Sequence, residues 1–252
     1  MEYSQGASDC QPSIRCKVDE LLSRAAERLW PTVCVLCRAR GQSGLDLCPG
    51  CEADLPWNGC ACVRCAAPLY ARVDERCGAC LRRPPFMHSA CAAFRYAYPI
   101  DRLVQGLKYR REASYARVLG ALLARRLVAR AAPPPQALIP MPLSPQRYRA
   151  RGFNQSYELA LPVALALRVP IRADLVVRER ETQEQAGLGA AERRRNVRGA
   201  FALLRPLELQ HVAIIDDVMT TGSTANEVAK VLRRGGATNV EAWCVARAGA
   251  TA

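Results

Sequence analysis

The chain has 252 residues, half of them hydrophobic, which suffices for one substantial core with a smaller module attached. No uninterrupted apolar run approaches the roughly 18 to 20 residues that cross a bilayer, and "MEYSQGASDC" is not a basic start followed by an apolar segment. This excludes membrane insertion and sets the expectation of an unexported, cytoplasmic protein. The formal net charge is +13, and residues 101–210 hold twenty Lys and Arg against nine Asp and Glu, a concentration that points to an anionic partner without telling DNA from RNA.

Three stretches are expected: 1–33, 34–88 and 89–252. In the first, Val18, Leu21, Leu22 and Leu29 fall near helical spacing and Pro31 closes the segment, so one short amphipathic helix is expected. Cysteines crowd the second, where Gly and Pro are frequent and no periodic pattern persists. Cys34 and Cys37 form "CVLC", Cys48 and Cys51 "CPGC", Cys62 and Cys65 "CVRC", and Cys77 and Cys80 "CGAC".

Two residues between cysteines let a tight knuckle turn both sulfurs toward one metal, and two knuckles supply the tetrahedral four of a structural zinc. Four knuckles in a reducing compartment favour two Zn2+ ions over disulfides, with sequential pairing preferred to a cross-braced one. Cys10, Cys16, Cys60, Cys91 and Cys244 lack a partner at useful spacing and read as free thiols, and His88 is a weak substitute ligand.

From residue 89 strands and helices alternate. A strand near 90–97 precedes helices near 101–109 and 114–130, then the breaker "AAPPPQ", the strand "ALIPMPL", a helix from about 154 to 168 and a strand near 174–178. A polar region runs to about 199, followed by "GAFALL", the strand "HVAIID", a helix near 223–234 and the strand "NVEAWCVAR". Such alternation implies an α/β fold with a mostly parallel sheet and flanking helices, preceded by the small cysteine-rich module.

"VAIIDDVMTTGST" carries the chemistry. Asp216 and Asp217 end an apolar strand and would face opposite ways unless the chain turns there, which the following glycine suggests. Small residues in "TTGST" allow close approach of backbone amides, Gly222 permits an unusual conformation, and the next helix offers its positive end, so an anion such as phosphate fits. Carboxylates beside it suit the hydroxyls of a ribose, giving a sugar phosphate pocket; a strand-end Asp with a plain Ser or Thr helix cap is the alternative.

"PMPLSPQRYRARGFNQS" sets Arg147, Arg149 and Arg151 near Gly152 and Asn154, between a strand and a helix, either to bind phosphate or as a solvated basic loop. "RERETQEQAGLGAAERRRNVRGAF" is long for a connection and reads as a lid or a disordered segment.

"VAIIDDVMTTGST" resembles the phosphoribosyl pyrophosphate loop of type I phosphoribosyltransferases. That implies that Asp216 and Asp217 hold the ribose hydroxyls, that Thr220, Thr221, Gly222, Ser223 and Thr224 bind the 5-phosphate, and that Mg2+ accompanies the pyrophosphate. Together with the cysteine knuckles, "LKYR", "RGFNQS" and "TxxQ" ending in "RRNV", it resembles the ComF family, zinc ribbons joined to a phosphoribosyltransferase-like domain, from about Cys34 to Arg247.

The resemblance implies roles for Arg151, Gly152, Phe153, Asn154 and Gln155, for Lys108, and for Thr182, Gln185, Arg193 and Asn196 of the lid, with Lys108 and Arg151 the candidate catalytic groups. Ala150 stands where many relatives carry an acid, which touches only a peripheral contact.

Three functions follow. The family implies handling of single-stranded DNA during natural transformation, alongside DNA-uptake or processing proteins, with Phe153, Tyr148 and Tyr109 as stacking platforms and Phe94 better suited to the core. The alternative is an active phosphoribosyltransferase with an unidentified base-like acceptor. A docking module built on the ribbons is third and leaves the acidic loop unexplained.

Overall fold

The computed structural model describes residues 32–42, 44–69, 76–110, 112–181 and 190–249. The helix expected within 1–33, Cys10, Cys16, Thr182 and Gln185 lie outside them. The chain divides into two compact units, one ending at Glu52 and the other beginning at Ala53.

In the first unit, the isolated antiparallel bridge Val33–Arg40 closes the first knuckle and Gln42–Leu45 shapes the turn between it and the second, and helix α1 (Pro49–Ala53) begins just past Cys48. Cys34 and Leu47 are fully buried, so this small body is centred on its cysteines.

The second unit opens on the other two knuckles, closed by helix α2 (Gly78–Arg82). Then come β1 (Ser89–Arg95), α3 (Ile100–Arg110), α4 (Ala113–Val128), β2 (Ala137–Pro140), α5 (Pro145–Arg151), α6 (Gln155–Leu167), β3 (Val176–Arg178), α7 (Ala190–Val197), β4 (Phe201–Leu203), β5 (His211–Met219), α8 (Ser223–Arg234) and β6 (Asn239–Arg247). The main sheet has the order β1-β6-β5-β2 and is parallel throughout.

Its central strands, "HVAIIDDVM" and "NVEAWCVAR", are near-continuous apolar runs, as expected where helices cover both faces. Val212, Ala213, Ile214 and Ile215 are all fully buried although their side chains alternate. Val212, Ile214, Ala242 and Cys244 pack with Val228 and Leu232 of α8, while α4 and α6 pack on the sheet and on each other. That last contact is tight: a Cβ on Gly120 would lie 2.9 Å from the Leu159 carbonyl oxygen and from Pro162, so the two backbones meet only because residue 120 is glycine.

"GAFALL" joins the main sheet nowhere. Phe201–Leu203 pairs antiparallel with β3 in a separate two-stranded sheet, Val176 opposite Leu203. Two helices replace connections that read as irregular. α5 is capped by the Ser144 hydroxyl, which accepts from the Arg147 N–H, starts with Pro145, and stops at Gly152 with φ 76°. α7 covers Ala190–Val197 within the polar stretch.

Candidate functional site

The carboxyl edge of the sheet carries the acidic pair. β5 continues past the aspartates to Met219, so the turn falls at Thr220–Gly222 and not at the carboxylates; Asp216 and Asp217 therefore keep the alternation of a strand. Asp216 pairs in register with Cys244 and accepts from the Ser156 hydroxyl at 3.4 Å and from the Asp217 N–H at 2.9 Å. Asp217, 4% exposed, accepts from the Val218 N–H at 2.6 Å and forms an ion pair with Lys108 Nζ at 3.1 Å. Each aspartate thus reaches a different helix, α6 for the first and α3 for the second.

Charge logic separates the pair. Burial, and then the charge of Asp217, push the Asp216 carboxyl up to about 7, against an opposing pull from Lys108. For Lys108, burial acts downward, but the charge and hydrogen bond of Asp217, then Asp216, outweigh it and raise its pKa. One carboxylate is neutralised by a built-in cation while the other is left short of donors.

The loop that follows is preorganised. Gly222 caps α8 at φ 75°, a left-handed conformation that favours glycine, and its carbonyl accepts from the Asn226 N–H at 2.9 Å. The Thr221 and Ser223 hydroxyls lie 2.7 Å apart, and the Ser223 N–H donates to Thr221 Oγ1 at 3.3 Å, so both hydroxyls and the free end of α8 share one small surface. Thr220 precedes them and Thr224 sits in the first turn of α8.

The loop is held from below by Arg247, a buried side chain at the end of β6 that donates to the carbonyls of Met219 at 3.0 Å and of Cys65 at 2.9 Å, and also to those of Thr220 and Ala248.

"RGFNQS" converges on the same edge. Asn154 caps α6: its Oδ1 accepts from the Ser156 N–H at 2.9 Å, and its Nδ2 donates to the Met141 carbonyl at 3.1 Å. This puts Ser156 against Asp216. Gln155 is buried, and its Oε1 has no hydrogen-bond partner among the described residues.

The Arg151 guanidinium lies 5.8 Å from the centre of the Tyr109 ring, joining "LKYR" to "RGFNQS" at the surface. Tyr109 and Tyr148 are exposed and Phe153 half-buried, whereas Phe94 is fully buried against Trp57, their rings 4.5 Å apart.

Arg178 escaped the sequence reading. It is buried in β3 over the Phe201 ring, and its pKa is lowered to about 10, first by burial and then by the charge of Arg147, while Asp216 acts the other way. The only sequence signal was the first of two arginines in "VVRER", directly after an apolar pair.

The cysteine sulfurs gather in two sets of four, Cys34, Cys37, Cys48 and Cys51, and Cys62, Cys65, Cys77 and Cys80, each set within 4.8 Å. The arrangement is sequential. Neither set includes His88, whose N–H bonds the Val240 carbonyl.

Sulfurs of different knuckles lie 3.6 Å apart in both sets, Cys37 to Cys48 and Cys65 to Cys77. Four ligands at about 2.3 Å around a tetrahedral zinc stand about 3.8 Å from one another, so the geometry fits that ion. Burial acts to raise the Cys34 and Cys62 thiols, but backbone N–H donors bring them down to about 6 and about 7. Burial, with the neighbouring sulfurs, raises Cys51, Cys65 and Cys80, so a divalent cation is what lets all four ionise.

Among the described residues no helix is long and apolar enough to cross a membrane. Cys91 and Cys244 are buried free thiols and Cys60 an exposed one.

A protein-family model described as "Double zinc ribbon domain" matches residues 25–81. DNA utilization protein YhgH of Escherichia coli O157:H7 is 36% identical over 226 residues, 86% of this chain and 97% of that protein. Competence protein F of Haemophilus influenzae is 34% identical over 230 residues, 85% of this chain and 96% of that protein. Among solved structures, a purine phosphoribosyltransferase from Pyrococcus horikoshii is similar at a TM-score of 0.28 and 16% identity, over 59% of this chain and 72% of that one, too slight a likeness to carry weight. Relatives of this identity run nearly end to end, and with its parallel sheet and paired four-cysteine sets the chain belongs to the ComF family.

Proposed function

We propose that this ComF-family protein binds phosphoribosyl pyrophosphate at the carboxyl edge of its sheet and single-stranded DNA on its basic surface, acting in the cytoplasm in DNA uptake for natural transformation. The observation that carries the ligand reading is the sequence of groups along one edge: two carboxylates near the carboxyl end of β5, the left-handed Gly222, the paired Thr221 and Ser223 hydroxyls, and the positive end of α8.

In this reading Asp216 and Asp217 accept from the ribose hydroxyls, Thr220–Thr224 take the 5-phosphate, and Lys108 and Arg151, with Gly152, Asn154 and Gln155 beside them, face the pyrophosphate. Mg2+ enters with the pyrophosphate, which supplies it with hard oxygen ligands. The eight knuckle cysteines hold two structural zinc ions. The names of the relatives, DNA utilization and competence, support the nucleic-acid half, as does the surplus of twenty basic over nine acidic residues between 101 and 210.

Titration calorimetry of phosphoribosyl pyrophosphate, with and without Mg2+, tests the ligand half on wild type and Asp217→Asn. The variant loses a charged acceptor and should bind at least tenfold more weakly, in line with about 1.5–3 kcal/mol for a hydrogen bond to a charged group; because it also unpairs Lys108 its melting temperature should fall, so both proteins are titrated at a temperature where circular dichroism shows them folded. Equal affinity in the two proteins would remove the acidic pair from the ribose site.

A further inference from the structure

A cleft of about 1350 Å³ opens within the second unit, against the loop that follows β5. One wall is the second cysteine set, with Arg82 and Arg83; the other is α7 and α8, with Arg194, Arg195, Arg198 and Lys230. The lining holds eight cationic side chains, Arg95 and the loop-holding Arg247 included, against one carboxylate, Glu227, which is engaged by Lys230 at 3.5 Å and by the Gly199 N–H at 3.0 Å, and a cysteine set that carries a charge of about −2 when zinc-loaded, so cations still predominate. The five arginines named on the two walls are exposed.

The cleft lining includes Thr221, Gly222 and Ser223, the loop assigned above to the 5-phosphate, but not Asp216, Asp217 or the "RGFNQS" residues. Phe86 is exposed in the cleft, 43% of its surface accessible, and its backbone N–H is fixed to Asn226 Oδ1 at 2.6 Å.

The charge is too large for a lone sugar phosphate, whose few phosphate groups the loop and Lys108 already serve. It suits a chain of phosphates. An exposed aromatic ring among arginines suits unstacked bases, since stacking needs an open base face that a duplex withholds.

We propose that the cleft is a groove for single-stranded nucleic acid that includes the phosphate loop in its lining, so that a backbone phosphate of the strand and the 5-phosphate of phosphoribosyl pyrophosphate exclude each other at Thr221–Ser223. The proposal rests on the loop assignment given under the proposed function and adds the path of the strand and its competition with the small ligand.

Fluorescence anisotropy of an oligothymidylate on the zinc-loaded full chain tests it. The triple substitution Arg194→Ser, Arg195→Ser, Arg198→Ser on one wall and the double Arg82→Ser, Arg83→Ser on the other should each weaken binding tenfold or more. Each should also flatten the plot of log affinity against log salt by about 0.7 for every phosphate that is no longer neutralised. Phe86→Ala should cost about tenfold, the scale of one base stacked on an aromatic ring. Zinc content and circular dichroism guard against misfolding.

Saturating phosphoribosyl pyrophosphate should raise the apparent Kd of the oligonucleotide on wild type. Wild-type affinity and salt slope in both arginine variants would put the strand on another face. Displacement by poly-glutamate at equal charge would point to an acidic protein partner instead. Calorimetric binding of phosphoribosyl pyrophosphate with an unchanged oligonucleotide Kd would overturn the shared loop. No binding of phosphoribosyl pyrophosphate at all would strike the loop assignment under the proposed function, and the arginine variants would still judge the groove.

Discussion

Adjacent central strands of the sheet each carry an acid, the buried Glu241 near the amino edge and the half-buried Asp216 near the carboxyl edge. Glu241 on β6 is 5% exposed and is met by the Ser89 hydroxyl at 2.9 Å, Arg130 Nη2 at 3.0 Å, Trp243 Nε1 at 3.0 Å and His211 Nε2 at 2.9 Å. Burial acts to raise its pKa, and Trp243, Arg130, His211 and Ser89 together outweigh it, leaving the carboxyl below its ordinary range.

Asp216 on β5 has one hydroxyl donor at 3.4 Å and its neighbour's N–H, and is pushed up to about 7, by burial first and then by Asp217. The contrast is what favours Asp216 for the proposed site: the same chemical group, in the same layer, is satisfied where the fold supplies its donors and keeps acceptor capacity where the fold withholds them.

The largest way to break the contrast is Glu241→Ala. Removing one partner from a buried ionic network leaves Arg130, His211 and Trp243 Nε1 unmatched and should cost about 3–5 kcal/mol in denaturant unfolding. The affinity of the folded protein for phosphoribosyl pyrophosphate should stay within twofold of wild type. A variant that unfolds normally but loses the ligand would make Glu241 part of the binding edge and erase the distinction.

Asp216→Asn is the second test, with the sign reversed. The folded pKa of about 7 lies above the ordinary 3.8, so the folded state holds the proton more tightly. Whatever stability Asp216 contributes is present below about pH 4 and lost as pH rises through about 7. Asparagine cannot ionise, so the variant should match wild type near pH 4 and exceed it at pH 8 by on the order of 2 kcal/mol. Its ligand affinity should fall at the same time, the usual opposition of stability and function at a binding edge. Equal stability at both pH values would show that the carboxylate is as well satisfied as Glu241.

The two acids also differ in how far the sequence reveals them. Asp216 and Asp217 interrupt an apolar strand and precede Gly222, so their place near the carboxyl edge was readable from local pattern, whereas the turn expected at them falls three residues later because β6 keeps pairing with β5 as far as Met219. So were the cysteine knuckles, because a two-residue spacing is a local geometric constraint, and their sequential grouping followed the chain order.

Glu241 looked like one polar residue in "NVEAWCVAR", and its donors come from β1, just beyond α4, β5 and β6, separations that no local pattern encodes. The same reason hid Arg178, whose meaning lies in its nearness to Arg147 and Asp216. It hid the Lys108–Asp217 ion pair too: the resemblance pointed to Lys108 as a candidate but not to its partner. α5 was missed for a different reason. At seven residues it is too short for a periodic signal, although its Ser-Pro start and glycine stop were both present in "LSPQRYRARG".

The smallest effect sharpens the comparison most. His211 is one of four groups around Glu241, and His211→Ala removes a single hydrogen bond while three remain, so it should cost about 1 kcal/mol. In the Glu241→Ala background the same substitution has no carboxylate left to lose, and its cost should fall toward zero, a coupling of about 1 kcal/mol in the double-mutant cycle. If the coupling is absent, the His211 hydrogen bond contributes nothing. Glu241 would then rest on three donors, and the donor count that separates it from Asp216 would have to be carried by Arg130, whose charge is the one feature that Ser89 and Trp243 cannot supply.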